Sequence, residues 1–172
     1  MSLMILSGYA KTAVGEFLIR ASKRGIVSIN FPTKRRSDLS IPVSSQESLQ
    51  HIKMCEKGLL RFFKGRQAEL SGIPIDWQQF GTFDRRIYQA LRNVPPGETI
   101  CYGELARRSG FPKAARAVGN ALNRNPVPIL IPCHRVLRKD GSLGGFSSGI
   151  GWKRKLLHLD KKQNRTFHKR SN

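Results

Sequence analysis

The chain has 172 residues, with 31 lysines and arginines against 11 aspartates and glutamates, for a formal net charge of +20. Its hydrophobic fraction of 39% suffices for one domain or two small ones, no run approaches the roughly 20 apolar residues of a membrane span, and no secretory leader is visible. The three cysteines, Cys55, Cys101 and Cys133, are odd in number and unclustered, and the four histidines form no HxxxH, so neither a disulfide framework nor a zinc site is indicated and a reducing cytoplasm is expected.

So strong a positive charge opposes compaction and fits a polyanionic partner, with nucleic acid expected ahead of an anionic membrane or an acidic protein. In chain order, Glu16–Ala21 and Ile26–Phe31 are strand-like runs flanking Ser22–Gly25, which predicts a hairpin. Pro32–Ser45 is polar and proline-broken, as a loop would be. Gln46–Lys64 has the apolar spacing of a helix closed by Gly65, and Gly72–Trp77 suits a short strand or connector. We place a domain boundary near Gln79, giving domains over 1–78 and 79–160 and a disordered basic tail over 161–172. Thr82–Leu91 predicts a helix ended by Pro95-Pro96-Gly97. A short helix over Tyr102–Ser109, a turn at Gly110-Phe111-Pro112 and a helix over Lys113–Asn123 have the grammar of a helix-turn-helix.

That second helix has an apolar stripe, Ala114, Val118, Ala121 and Leu122, and a polar row, Lys113, Arg116, Asn120 and Arg124. Ala115, Ala117 and Gly119 keep its outer surface low, which allows close approach to nucleic acid while the cations meet phosphates. An ordinary amphipathic helix with a solvated basic face explains the same spacing. From Arg107 to Arg170 there are 16 cations and two acids, Asp140 and Asp160, so +14 of the +20 lies on the helix pair and the chain beyond it.

The stretch NPVPILIPCHRVL, Asn125–Leu137, delivers Cys133 through an apolar, proline-fixed run directly onto His134 and Arg135. The thiolate is the reactive form of cysteine, and nearby cations lower its pKa. His134 could take the thiol proton directly or through a water. Arg135 could add positive potential or form a structural salt bridge. A lone cysteine is more often a small buried hydrophobe, and a Cys-His pair alone is weak. Cys55 and Cys101 lack any comparable context and read as structural; Trp77 and Trp152 read as core or interface aromatics.

Taken with the preceding KAARAVGNALNRNP and the following GSLGGFSSGIGWKRKLLHLD, this stretch resembles the O6-alkylguanine-DNA alkyltransferases, the methylated-DNA–protein-cysteine methyltransferases, over roughly Thr82–Asp160. The resemblance implies an α+β fold: a small RNase H-like α/β domain, then a mainly helical domain with a winged helix-turn-helix. It implies a single-turnover methylated-DNA–protein-cysteine S-methyltransferase without a cofactor. Cys133 would accept the alkyl group from O6 of guanine in a direct displacement and be spent. His134 would activate it through a water. Asp160 stands where the family usually has a glutamate that orients this histidine. Asn125 would brace the active-site turn, although a helix cap before Pro126 explains it equally. Tyr102 would help rotate the nucleotide and donate a proton to the guanine, unless it is a packed helix-start aromatic. Arg116 would fill the stack left by the flipped base, with Lys113, Ala115, Ala117, Gly119 and Asn120 against the minor groove. Gly144, Phe146 and Ser147 of the glycine-rich loop would wall the alkylguanine pocket, Ser147 meeting O6. The Val136 carbonyl would read the exocyclic amine. Lys153 would begin a last helix that returns Asp160 towards His134. The implied partner is double-stranded DNA carrying O6-alkylguanine, with O4-alkylthymine a further possible substrate. No membrane and no obligatory protein partner are expected, and a monomer is the default. A lesion sensor without transfer chemistry is the alternative reading, disfavoured by Cys133. A cysteine hydrolase would leave the basic helix pair unexplained.

Overall fold

The structure, a computed structural model, describes residues 5–33 and 45–168. The architecture is α+β, and the chain divides into two compact units between Gln79 and Phe80.

In the amino-terminal unit, β1 (Leu6–Thr12), β2 (Gly15–Ser22) and β3 (Gly25–Asn30) form an antiparallel sheet in chain order. Strands β2 and β3 are the expected hairpin; β1 is an addition that its weak alternation had hidden. Thr12 pairs with Gly15 and Ser22 with Gly25, so both connections are two-residue turns. Gly25 has φ +144°, and a Cβ there would lie 2.7 Å from the Pro74 backbone. Only glycine permits that approach. It lets Ile26 N–H reach the Pro74 carbonyl at 2.9 Å and Asp76 N–H reach the Ile26 carbonyl at 3.0 Å. The 72–77 segment is therefore a connector with one bridge, Ile75 to Ile26. Helix α1 (Gln46–Phe63) starts at Ser45, whose Oγ accepts from Ser48 N–H at 3.2 Å. Its stripe of Ile52, Cys55, Leu59 and Phe62 is buried where the helix packs on the sheet. Each large apolar side chain buried in this way contributes about 1.5–3 kcal/mol. Burial pushes the Cys55 thiol up to about 12, which makes it inert. Most of the Pro32–Ser45 loop lies outside the described residues.

The carboxy-terminal unit contains α2 (Thr82–Arg92), β4 (Ile100–Cys101), α3 (Tyr102–Arg108), α4 (Ala115–Asn123), β5 (Val136–Leu137) and α5 (Ile150–His168). Helices α2, α3 and α4 pack around Ile87, Leu91, Leu105, Val118 and Ala121, all fully buried. Tyr88 in that core donates its hydroxyl to the Ala121 carbonyl at 2.6 Å. Strands β4 and β5 pair in parallel, Ile100 with Val136 and Cys101 with Leu137. This register sets Tyr102, the first residue of α3, beside the segment just after Cys133.

Three boundaries correct the expectations. Helix α4 starts at Ala115, because Lys113 sits at φ +76° and breaks the helical path. Helix α5 starts at Ile150, before Lys153, and runs through His168. The disordered tail expected over 161–172 is thus helical over 161–168, while 169–172 lie outside the described residues. Four strong helix formers, Lys161, Lys162, Gln163 and Arg165, lie in this stretch, Gln163 is buried, and Asn164 lies against Gly97, where an added Cβ would be 2.8 Å away.

Candidate active site

The turn that carries Cys133 is strained and braced. Ile129 sits at φ +75°, a conformation that costs a β-branched residue about 1–3 kcal/mol. Its neighbours hold it there: Val127, Leu130 and Ile131 are buried, and Ile129 with them. Asn125 ties the turn from inside. Its Nδ2 donates to the Ile131 carbonyl at 3.0 Å and to Cys133 Sγ at 3.3 Å, and its Oδ1 accepts from Val127 N–H at 3.0 Å. One amide therefore fixes both the loop and the sulfur.

Cys133 opens a 3-10 turn, Cys133–Arg135, and is 6% exposed. Burial pushes its thiol up; the Asn125 hydrogen bond and the Lys153 charge pull it back only in part. The resting site therefore holds a neutral thiol. His134 is fully buried, and burial lowers its pKa despite the Asp160 hydrogen bond, so its imidazole is neutral at pH 7. Burial alone would raise the Asp160 carboxyl, but hydrogen bonds from His134 and Arg135 outweigh it and hold the group ionised. His134 Nε2 lies 3.0 Å from Asp160 Oδ2. An ionised carboxylate only accepts, so Nε2 carries the proton and Nδ1 keeps the lone pair. Nδ1 has no hydrogen-bond partner among the described residues. Arg135 resolves as the salt bridge: Nε donates to Asp160 Oδ2 at 2.6 Å, Nη2 to Oδ1 at 3.1 Å, and Nη1 to the Val94 carbonyl. The short aspartate arm thus reaches both of its partners.

A residue to which the sequence assigned no chemistry lies beneath the loop. Lys153 is fully buried, and its ammonium donates to the carbonyls of Val136 (2.7 Å), Leu143 and Gly145 (3.4 Å). It clips β5 to the glycine-rich loop and places a charge near the thiol. The signal was its register with Leu156, Asp160 and Gln163 along the buried side of α5.

Cys133 reaches a cleft of about 530 Å³. Helix α4 lines it with Ala115, Arg116, Gly119, Asn120, Leu122 and Asn123; the glycine-rich loop adds Gly144, Gly145, Phe146 and Ser147; Tyr102 and Arg138 complete it. Gly144 has φ +65°, and a Cβ there would lie 3.0 Å from the Tyr102 hydroxyl, so that hydroxyl rests against bare backbone. Burial raises the Tyr102 pKa, Arg138 offsetting part of the rise, and the phenol stays a proton donor. Of the residues expected in the pocket, Val136 is absent from the lining: it is buried, with its carbonyl engaged by Lys153. Lys113 and Ala117, expected against the duplex, are exposed on the surface outside the cleft. Asn125, His134 and Asp160 are also outside the lining, as buried supports of Cys133.

A family model described as the DNA-binding domain of 6-O-methylguanine DNA methyltransferase matches residues 82–162. The methylated-DNA–protein-cysteine methyltransferase of Methanosarcina acetivorans is 36% identical over 151 residues, 87% of this chain and 94% of the relative. That of Haemophilus influenzae is 40% identical over 154 residues, 89% and 84% of the two chains. Among solved structures, Mycobacterium tuberculosis OGT in complex with DNA superposes with a TM-score of 0.68 at 30% identity, covering 92% of this chain and 93% of that one. The O6-methylguanine-DNA methyltransferase of Pyrococcus kodakaraensis superposes at 0.59 and 26% identity, covering 91% and 99%. With a braced cysteine, a buried acid–imidazole pair and relatives matched over nearly their whole length, the chain belongs to the methylated-DNA–protein-cysteine methyltransferase family.

Proposed function

We propose that this protein repairs DNA by transferring the alkyl group of O6-alkylguanine irreversibly to Cys133, once per molecule. The observation that carries the reading is the hydrogen-bond arrangement at Cys133: a buried thiol held by Asn125, and a buried imidazole whose Nε2 is engaged by Asp160 and whose Nδ1 has no partner among the described residues. His134 Nδ1 takes the thiol proton, through a water. The sulfur attacks the alkyl carbon; the S–C bond forms as the C–O6 bond breaks, and the bonding pair passes to the guanine. Tyr102 donates its phenolic proton to the base as that charge develops and regains one through solvent from the imidazolium. The thioether product is beyond reversal by thiol exchange, so turnover stops at one.

A thiol only 6% exposed requires the base to leave the duplex first. In this reading α4 enters the minor groove, Ala115 and Gly119 allow close approach, and Arg116 takes the place of the flipped guanine. Ser147 and the backbone of Gly144 wall the base, with Phe146 beside them. The amino-terminal sheet and helix form an RNase H-like domain, and α3, α4 and the β4–β5 pair a winged helix-turn-helix. The protein acts as a monomer in a reducing cytoplasm, which suits its three free thiols. O4-alkylthymine offers the same leaving-group chemistry and is a second candidate substrate.

The test is a titration with duplex carrying a radiolabelled O6-methylguanine. Label transferred to protein should plateau at one equivalent and stay there. Continued turnover, or binding without transfer, would replace this reading with a hydrolase or a lesion sensor.

A further inference from the structure

We infer that the second half of helix α1 forms a separate docking groove for the phosphate backbone of duplex DNA, in the amino-terminal unit where no active-site side chain resides. Lys53, Lys57, Arg61, Lys64 and Arg66 line a shallow groove of about 350 Å³ with Leu60 and one acid, Glu56. Five cations and one acid make a net of +4 within fourteen residues.

Neither of two ordinary explanations accounts for it. Cations in the last turn of a helix complement its dipole, which covers Arg61 and the capping Lys64 but not Lys57 and Lys53, one and two turns before Arg61. A solvated helix face pairs its lysines with acids one turn away, yet Glu56 is half-buried and forms no ion pair with Lys53 or Lys57. The side chains of Lys53, Lys57, Lys64 and Arg66 have no hydrogen-bond or ion-pair partner among the described residues. Only Arg61 is fixed, its Nε donating to the Gln67 carbonyl at 2.8 Å, which leaves its terminal nitrogens available.

The chemistry of this row suits a phosphodiester. From Lys53 to Lys64 it extends about 16 Å at 1.5 Å per residue, long enough to run past several phosphates of a duplex that carries one charge per about 1.7 Å of its axis, both strands counted. Lysine heads on flexible stems meet phosphates as point charges without demanding a sequence. The groove would hold undamaged DNA non-specifically and raise the time the protein stays on the duplex. The inference rests on DNA being the partner, as proposed above.

The test compares two triple variants of the full chain with equal loss of charge: Lys53→Gln/Lys57→Gln/Lys64→Gln in the groove, and Lys11→Gln/Arg20→Gln/Lys23→Gln on the β1–β3 sheet, called the hairpin variant. Affinity for an undamaged duplex is measured between 50 and 200 mM KCl, with circular dichroism to verify folding. The groove variant should lower the slope of log affinity against log salt by about 2.7, from three contacts at about 0.9 each, and the hairpin variant by less than one contact's share. Equal losses in both variants, or no loss in either, would overturn the groove. So would an unchanged DNA slope combined with lost binding to phosphatidylserine vesicles, which would make the row a membrane contact. Transfer from free O6-benzylguanine, measured in parallel, should be unchanged in both variants. Its absence in the unaltered protein would sink the repair reading instead, independently of the groove.

Discussion

Asp160→Asn isolates the charge that organises the site. The carboxylate is fully buried and accepts three hydrogen bonds, one from His134 and two from Arg135. Asparagine keeps the size and one acceptor oxygen but removes the charge, leaving the Arg135 guanidinium, 5% exposed, without a counter-ion. Breaking a buried pair in this way costs about 3–5 kcal/mol, which for a chain of this length lowers Tm by about 6–20 °C. The imidazolium that forms when His134 takes the thiol proton loses its partner as well, so transfer should slow by about 100-fold or more. The two readouts are a thermal melt and the pseudo-first-order rate with O6-benzylguanine. Asp160→Glu, the residue usual in the family, is the companion. The aspartate already reaches its partners, so a further methylene in a filled site should destabilise by about 1–3 kcal/mol without accelerating transfer. The reasoning is refuted if Asp160→Asn keeps Tm within about 2 °C and retains most of its rate, or if Asp160→Glu reacts much faster with no loss of stability.

The same geometry sets three further outcomes. Arg116→Ala should slow repair in duplex DNA far more than reaction with free O6-benzylguanine; equal losses in paired rate measurements would remove it from base extrusion. The folded pKa of His134 is lowered from 6.5 by burial, so its stabilising contribution is complete above 6.5 and fades as pH falls through the folded value. Transfer should share that sign, flat from pH 7 to 8 and declining only below 6.5; a midpoint above 7 in the pH–rate profile would contradict a buried neutral base. Lys153→Met keeps the packing but leaves three carbonyls without their donor, at about 1–3 kcal/mol for each group left buried and unpaired. Hydrogen exchange over residues 143–147 should quicken and transfer should slow; unchanged exchange would mean the loop holds itself.

The site was legible where its chemistry is local. Asn125, Pro126, Pro128 and Pro132 precede Cys133 within nine residues, so the brace and the cysteine it holds could be read together. Arg135 remained ambiguous because its partner, Asp160, lies 25 residues further on and is reached only after α5 folds back. Lys153 was missed because it opens a Lys-Arg-Lys run that looks solvated. Only its register with Leu156 and Asp160 betrays burial, and tertiary packing overrides composition there. The same effect hid the length of α5, whose basic residues read as a tail until Gln163 and Asn164 found partners. Strand β1 escaped because Gly8 and Lys11 dilute its alternation. The left-handed Ile129 carries no sequence signal, since a β-branched residue is a poor candidate for that conformation.

The central claim is that Cys133 is the acceptor and is used once. Intact mass after mixing with an excess of O6-methylguanine duplex, then peptide mapping, measures it directly. The expected result is a gain of one methylene mass per protein, confined to the peptide containing Cys133, with Cys55 and Cys101 unchanged. A stoichiometric gain on another residue, or the same gain in Cys133→Ala, would contradict it.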